Sequence, residues 1–385
     1  MTYNQLNSNI IKFDKIILLK FSIFLTLCIE ITSVPLDFSI PIFGNVIGFV
    51  FLFILLVNNF KYAYPSILLV FLVFLFYLLI NFSYYIESIE PYKALVYSLI
   101  VIVFSVDLHK RDYKPILEDV FFKYLIFITI IYFIGFGIDD AGGSLRIQGL
   151  MSEPSALSLI LCFLFWTFLK EKKYKKLLFV CFVCLLTLSL VVYAQLIIFY
   201  LIKLFVEINF RSFFKLALIA FSVSITFLIL TNSESDFWLI RKASDAAIYT
   251  MTNGEEGRNT RGVDKEKLNE EQKSNSFSYL LGNGPNYLVH YYGSRNMLTT
   301  TQNIQSILFF NFGILGMITG LWWILVTLYK LKKSTYYFLF ISAVSYSLIN
   351  TASGIVNDIY LYSLLFYATN FFYNYKFKKQ VVNLS

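Results

Sequence analysis

The chain has 385 residues, of which 58% are hydrophobic and 15% charged, with a mean hydropathy of +0.67 and a formal net charge of +8. Soluble domains carry about 45–50% apolar and about 25% charged residues, so a single soluble globule is excluded. Apolar runs of roughly 18 residues or more recur, long enough for a helix to cross a hydrocarbon core of about 30 Å. They are too long for the roughly 10-residue alternating strands of a membrane barrel. The expectation is an all-α, polytopic integral membrane protein.

About twelve spans follow in chain order, each bounded by a polar or basic break. They lie roughly at 15–33, 39–57, 64–84, 91–108, 119–138, 153–169, 175–190, 191–208, 213–231, 303–329, 334–351 and 356–375. No small-residue cleavage site follows the first run, so it is expected to stay as an anchor. The seventh and eighth spans are the hardest to separate. From Leu177 to Phe205 the chain is almost continuously apolar, and only Thr187 to Gln195 ("TLSLVVYAQ") offers a place to turn.

Basic clusters test this count. With the N-terminus (Lys12, Lys15) inside, alternate loops should be basic. Lys61, "HKRDYK" (Lys110, Arg111, Lys114), "KEKKYKK" (Lys170 to Lys176), Lys203 with Arg211 and Lys215, "KLKK" (Lys330 to Lys333) and "KFKK" (Lys376 to Lys379) obey that alternation. The intervening loops are acidic or neutral, as in "SYYIESIEPY" (Ser83 to Tyr92). Both termini are therefore expected in the cytoplasm. Because the positive charge marks topology, it does not point to nucleic acid.

Two polar segments fall outside: Asp139 to Ser152, "DDAGGSLRIQGLMS", and a large external loop over 232–302. A loop of about 70 residues is usually functional or disordered. Its charged centre ("GEEGRNTRGVDKEKLNEEQKSNS") fits either a helix or a floppy segment, whereas its flanks, Phe237 to Leu239 and "YLLGNGPNYLVHYYG", read as ordered.

Ionisable groups inside the spans are few. Lys20, Glu30, Lys123 and Asp358 sit near span ends, where side chains reach the interface. Cys28, Cys162, Cys181 and Cys184 all lie in apolar runs. The C-x-x-C of Cys181 and Cys184 has no second pair or histidine nearby, so core packing is expected rather than metal or redox chemistry.

The polar inventory gathers instead at the external lip. Ser152, Glu153 and Pro154 form a helix start, with a capping residue, an acid in the first turn and a tolerated proline. Glu153 there serves either the helix dipole or proton transfer from a hydroxyl. Arg146, on an external loop, breaks the orienting charge pattern; it meets a lipid headgroup or grips a phosphate in bidentate fashion. Gly149 allows close backbone approach. In the long loop, Arg241 and Arg295 stand nearest the membrane, while Arg258 and Arg261 lie in the solvated charge run. His290 is a base or phosphate donor, or packs the loop. Gln302, Asn303 and Gln305 open the tenth span with amides at the same lip. "GNGPN" (Gly282 to Asn286) lacks the strand–loop–helix context of a phosphate loop. Gly313, Gly316 and Gly320 ("FGILGMITG") are expected to let neighbouring helices pack closely.

The ordered set of features has a family likeness. R-x-x-G-x-x-x-E-P-S (Arg146, Gly149, Glu153, Pro154, Ser155) opens a spanning helix. A large external loop ending in "LLGNGPNYL" comes several spans later, followed by a span with polar residues at its start and "FGILG". This resembles the Wzy O-antigen and capsular polysaccharide polymerases and, more distantly, the O-antigen ligases. The resemblance implies a membrane-embedded glycosyltransferase in the cytoplasmic membrane, acting on undecaprenyl-diphosphate-linked glycans without nucleotide, metal or other cofactor. It implies membrane lipids, a chain-length regulator and a flippase as partners. It implies Arg146 at the diphosphate, with Arg241 or Arg295 second, and Glu153 as base, with His290 second. Gly149, Gln302 and Asn303 complete the expected substrate-binding set. The alternatives are an O-antigen ligase passing glycan to lipid A core and, in a different class, a flippase or transporter. A transporter is expected to carry charged or broken helices around a central cavity, and no such pattern is read here. A non-catalytic scaffold does not account for two external arginine-bearing elements.

Overall fold

A computed structural model describes residues 67–96, 98–99, 114–136, 138–141, 144–147, 157–207, 270–273, 275–294, 304–332, 334 and 336–349. These residues are 86% helical. In chain order the elements are α1 (Ile67–Ile80), α2 (Phe82–Glu87), α3 (90–96), α4 (Lys114–Phe133), β1 (Ile138–Ala141) and β2 (Ser144–Ile147). They continue with α5 (Ser158–Lys170), α6 (Tyr174–Thr187), α7 (Leu190–Val206), α8 (Ser276–Leu281), α9 (Tyr287–Ser294), α10 (Ile304–Leu331) and α11 (Tyr337–Ile349). Among the described residues one helix, Ile307–Leu331 within α10, is long and apolar enough to cross a membrane. Shorter apolar helices fall at α1, α5, α7 and α11.

The apolar stretch from Leu177 to Phe205 is broken within the segment where a turn was expected. Leu188 takes a left-handed conformation (φ 43°, ψ 35°) and ends α6. The Thr187 hydroxyl donates to the Cys184 carbonyl at 2.7 Å, closing off the last turn. The three described cysteines, Cys162, Cys181 and Cys184, are free thiols.

The chain divides into two compact units, residues 1–58 with 111–192, and 59–110 with 193–385. In the first, α4, α5 and α6 pack around Tyr124, Leu125, Ile128, Phe163, Phe168 and Val183, all at most 1% exposed. Edge-to-face rings join the helices: Phe121 on Phe163 at 5.9 Å, and Phe122 on Phe168 and Phe179, both at 5.6 Å. Such pairs add to burial because ring edges and faces carry opposite partial charge. A tight turn through Glu171 and Lys172 (φ 57°) reverses the chain between α5 and α6.

That turn carries an ion cluster. The Lys114 ammonium meets Glu171 at 2.5 Å and Glu118 at 3.2 Å, and Lys173 meets Glu171 at 2.5 Å and Glu118 at 3.1 Å. Partial burial opposes the charge on Glu171, but hydrogen bonds from Lys114 and Lys173 outweigh it and hold its carboxyl below the usual range. Burial likewise opposes the Lys114 charge, and bonds to Glu171 and Glu118 lift its pKa above the usual value. Lys173 is raised chiefly by its bond to Glu171.

The same unit adds one small hairpin to a mostly helical structure. Where the end of the fifth span (119–138) and the polar segment from Asp139 were expected, the chain forms an antiparallel hairpin with register Ile138↔Ile147, Asp139↔Arg146, Asp140↔Leu145 and Ala141↔Ser144.

In the second unit, α7 and α11 lie together. Phe199 meets Phe338 edge-on at 5.5 Å, and the buried Gln195 amide donates to the Ser342 carbonyl at 2.9 Å. α11 is buried at ten of its positions, Ser342, Ser345 and Ser347 among them. Small hydroxylated residues let helix backbones approach where no hydrophobic force acts between them.

α10 is not one continuous helix. Gly313 sits at φ 68°, ψ −172°, a conformation essentially reserved for glycine. Gly313 breaks the helix and also fits the close-packing role expected for it, since a Cβ there would run into the backbone of Leu280 and Leu281 at the end of α8. At Gly320 a Cβ would press on the Leu308 side chain, on the other side of the break within α10.

Candidate functional site

The break in α10 organises the lip of the second unit. Helical bonding fails around Asn311 to Gly313, which frees the carbonyls of Phe309, Phe310 and Asn311. The turn after α8 takes them. Asn283 N–H donates to the Phe310 carbonyl at 3.3 Å, and Gly284 N–H to the Asn311 carbonyl at 2.9 Å. The Gln272 amide bonds the carbonyls of Phe309 and Ser278, each at 2.9 Å, and the Asn283 amide donates to Gln272 at 3.2 Å. In return, Asn311, wholly buried, accepts from the Leu288 N–H at 3.1 Å in the first turn of α9.

α8 and α9 form around this turn for local reasons. Asn275 caps α8, its Oδ1 accepting from the N–H groups of Phe277 (3.0 Å) and Ser278 (3.3 Å). Gly282 ends it at φ 76°, and Asn286, at φ 58°, turns the chain into α9. Asparagine tolerates that left-handed region better than most residues.

The α1–α2 segment clasps the turn. Tyr77 near the end of α1, Asn81 at the break between the helices and Tyr84 in α2 all reach the turn. The Tyr77 hydroxyl donates to the Leu281 carbonyl (2.5 Å), the Asn81 amide to Asn283 (3.0 Å), and the Tyr84 hydroxyl to Pro285 (2.8 Å). These carbonyls run from the last residue of α8 into the turn that follows it. The Asn286 amide completes the clasp, donating to the Glu90 carbonyl at 3.2 Å. Below it, Phe74, Tyr77, Tyr84 and Tyr85 form a buried aromatic cluster against Tyr287 and Phe312. The Tyr85 hydroxyl is pushed above its ordinary range, chiefly by burial.

Two spaces draw their linings from neighbouring residues of the same two segments, 77–84 and 281–285, with no lining residue in common. One is a polar cavity of about 340 Å³, lined by Asn81, Ser83, Glu87, Asn275, Asn283 and His290 together with Tyr84, Phe277 and Tyr287. The His290 ring lies 5.1 Å from Tyr84 and 6.4 Å from Tyr287, centroid to centroid. The other is an apolar groove of about 700 Å³, lined by Leu69, Val73, Phe76, Leu281, Leu315 and Trp323 among others.

Of the residues picked from sequence, His290 lines the polar cavity. Arg146 lies in the first unit, on β2, which packs against α4 and α6, and is only 9% exposed. It was expected on an open loop; pairing of β1 with β2 and burial beneath the helices put it in the unit's interior instead. Glu153, Gly149, Arg241, Arg295, Gln302 and Asn303 lie outside the described residues, as do residues 254–269 of the charged centre; of its end, 270–273 are helical and Asn275 caps α8. The sequence reading missed Asn81, Tyr84, Glu87, Asn275 and Asn283. The amide of Asn311 inside an apolar span, two residues before a glycine, was the available signal. The expectation of unbroken helices also fails at Gly313. The freed carbonyls there are capped by the turn, so they do not form an ion-coordinating cavity. No family model, curated protein or solved structure matches the chain.

Proposed function

We propose that the protein is a polysaccharide polymerase of the Wzy type, with about twelve spans and both termini in the cytoplasm. It acts at the outer face of the cytoplasmic membrane on undecaprenyl-diphosphate-linked glycans. The observation that carries this reading is that a polar cavity and an apolar groove both take lining residues from segments 77–84 and 281–285. A substrate with a sugar head and a polyprenyl tail needs those two environments side by side. α1 exposes Leu68, Leu72, Leu75 and Leu79, as a lipid-facing helix would.

Two sets of contacts support the topology. Tyr84 and Glu90, in a loop assigned outside by its lack of basic residues, bond Pro285 and Asn286, at the end of the large loop assigned outside. Lys114 and Glu118 pair with Glu171 and Lys173, and the basic stretches containing these groups were both assigned inside.

In the reaction, an acceptor sugar hydroxyl attacks the anomeric carbon of the donor glycan. Its proton passes to a base, Glu153 or His290, and undecaprenyl diphosphate leaves with the electron pair of the broken C–O bond. Charge develops on the diphosphate and is stabilised by fixed cations, for which Arg241 and Arg295 are the candidates together with Arg146. The burial of Arg146 makes a positioning role for it the stronger one. A chain-length regulator and a flippase would work beside the enzyme.

Deletion in the native host, followed by gel display of surface glycans, tests the reading. A polymerase mutant leaves core bearing a single repeat unit. Core bearing none, with lipid-linked polymer accumulating, identifies a ligase, and unchanged ladders reject both.

A further inference from the structure

We propose that the cavity around His290 is a subsite for one neutral, hydroxyl-rich sugar ring, the acceptor end of a lipid-linked glycan. This rests on the polymerase reading and adds to it the class of group recognised and the residues that recognise it.

The lining matches the two faces of a pyranose. Phe277, 47% exposed, and the half-buried Tyr287 offer aromatic surface for the ring's C–H face. Glu87, as a carboxylate, only accepts hydrogen bonds and takes them from neighbouring hydroxyls in pairs. The Asn275 carbonyl oxygen is committed to capping α8, which leaves its amide N–H groups as donors. His290 supplies both a donor and an acceptor whichever ring nitrogen carries the proton.

Charge selects against the other end of the substrate. The carboxylate of Glu87 repels a diphosphate, so this cavity suits the acceptor sugar and not the donor's leaving group. Size sets the number of rings. About 340 Å³ is at the lower end of the range for small-molecule sites, roughly 300–1,000 Å³, and suits a monosaccharide rather than an oligosaccharide. The walls are also preformed: the bonds from Asn81 to Asn283 and from Tyr84 to Pro285 fix both sides of the cavity. Sites held in this way lose little entropy on binding.

The test is saturation-transfer NMR on the full chain in lipid nanodiscs. The probes are the methyl glycosides of glucose, galactose and N-acetylglucosamine, with glucose 6-phosphate as the anionic counterpart. Transfer to the ring protons of at least one neutral glycoside is expected, with none to the phosphate. Glu87→Gln and Phe277→Ala, both at exposed positions, should each weaken binding by about fivefold or more, as loss of a charge-assisted bond or an aromatic face predicts. Trp322→Ala, outside the cavity, should leave it unchanged. No transfer to any neutral glycoside, equal binding by Glu87→Gln, or preference for the phosphate overturns the subsite. The host deletion separates the two ideas. A chain that binds sugar here but whose loss leaves normal ladders overturns the polymerase reading and keeps the subsite. Ladders cut to one repeat without sugar binding here do the reverse.

Discussion

Gly282 and Gly313 face each other in the same unusual conformation, at φ 76°, ψ −171° and φ 68°, ψ −172°. A Cβ on Gly282 would run into the backbone of Asn311 and Phe312, and a Cβ on Gly313 into that of Leu280 and Leu281. Each glycine makes room for the chain that carries the other. The contact joins the turn after α8 to the broken α10, and Gly282 also lines the polar cavity.

Alanine at either glycine should therefore be severely destabilising. Left-handed strain alone costs about 1–3 kcal/mol, and overpacking against backbone adds about as much again. The apparent melting temperature in nanodiscs should fall sharply for each variant. The double variant should cost clearly less than the sum, because both break one contact. Additive losses would separate the two positions.

Tyr84→Phe and Tyr77→Phe keep the aromatic packing and remove only the hydroxyls that hold Pro285 and Leu281. Leaving a buried carbonyl without its donor costs about 1–3 kcal/mol. Both variants should unfold earlier and expose the 281–286 segment to protease first. Unchanged proteolysis would count against the clasp.

Gln195→Leu tests the seam between α7 and α11. Its amide bonds the Ser342 carbonyl at 2.9 Å within an apolar setting. Interhelical hydrogen bonds in membranes average only about 0.6 kcal/mol, so the melting temperature should drop by no more than a few degrees. A larger fall would mean that Gln195 specifies the packing and does not merely reinforce it.

The ion cluster predicts a pH profile. Glu171 is lowered from its usual value, so its contribution is complete above about pH 4.3 and is lost as pH falls through the lowered folded value. Lys114 and Lys173 are raised, so theirs is complete below about pH 10.4 and lost as pH rises through the raised values. Between these limits stability should be flat. Lys173 is 41% exposed, so solvent screening keeps the effect to about 1 kcal/mol or less. Glu171→Gln should flatten the acid limb of a melting-temperature profile, which thermal unfolding across pH measures.

Composition and period alone determined much of this protein. Apolar runs with basic breaks placed helices α4 to α7, α10 and α11, because burial in lipid or core depends on residue type along a single helix. The break at Leu188 was legible in the same way, from the polar Thr187 and Ser189 inside a run too long for one helix. His290 stood out as a histidine on an ordered flank. Only tertiary structure decided the rest. Arg146 is buried because β1 happens to pair with β2 beneath α4 and α6, a register that local pattern does not encode. The polar cavity joins Glu87 to His290 across some two hundred residues, and Gly313 breaks its helix only because the turn at Gly282 arrives to take the freed carbonyls. Those carbonyls have no partner in their own segment, so the bonds that stabilise the break depend on a distant part of the chain.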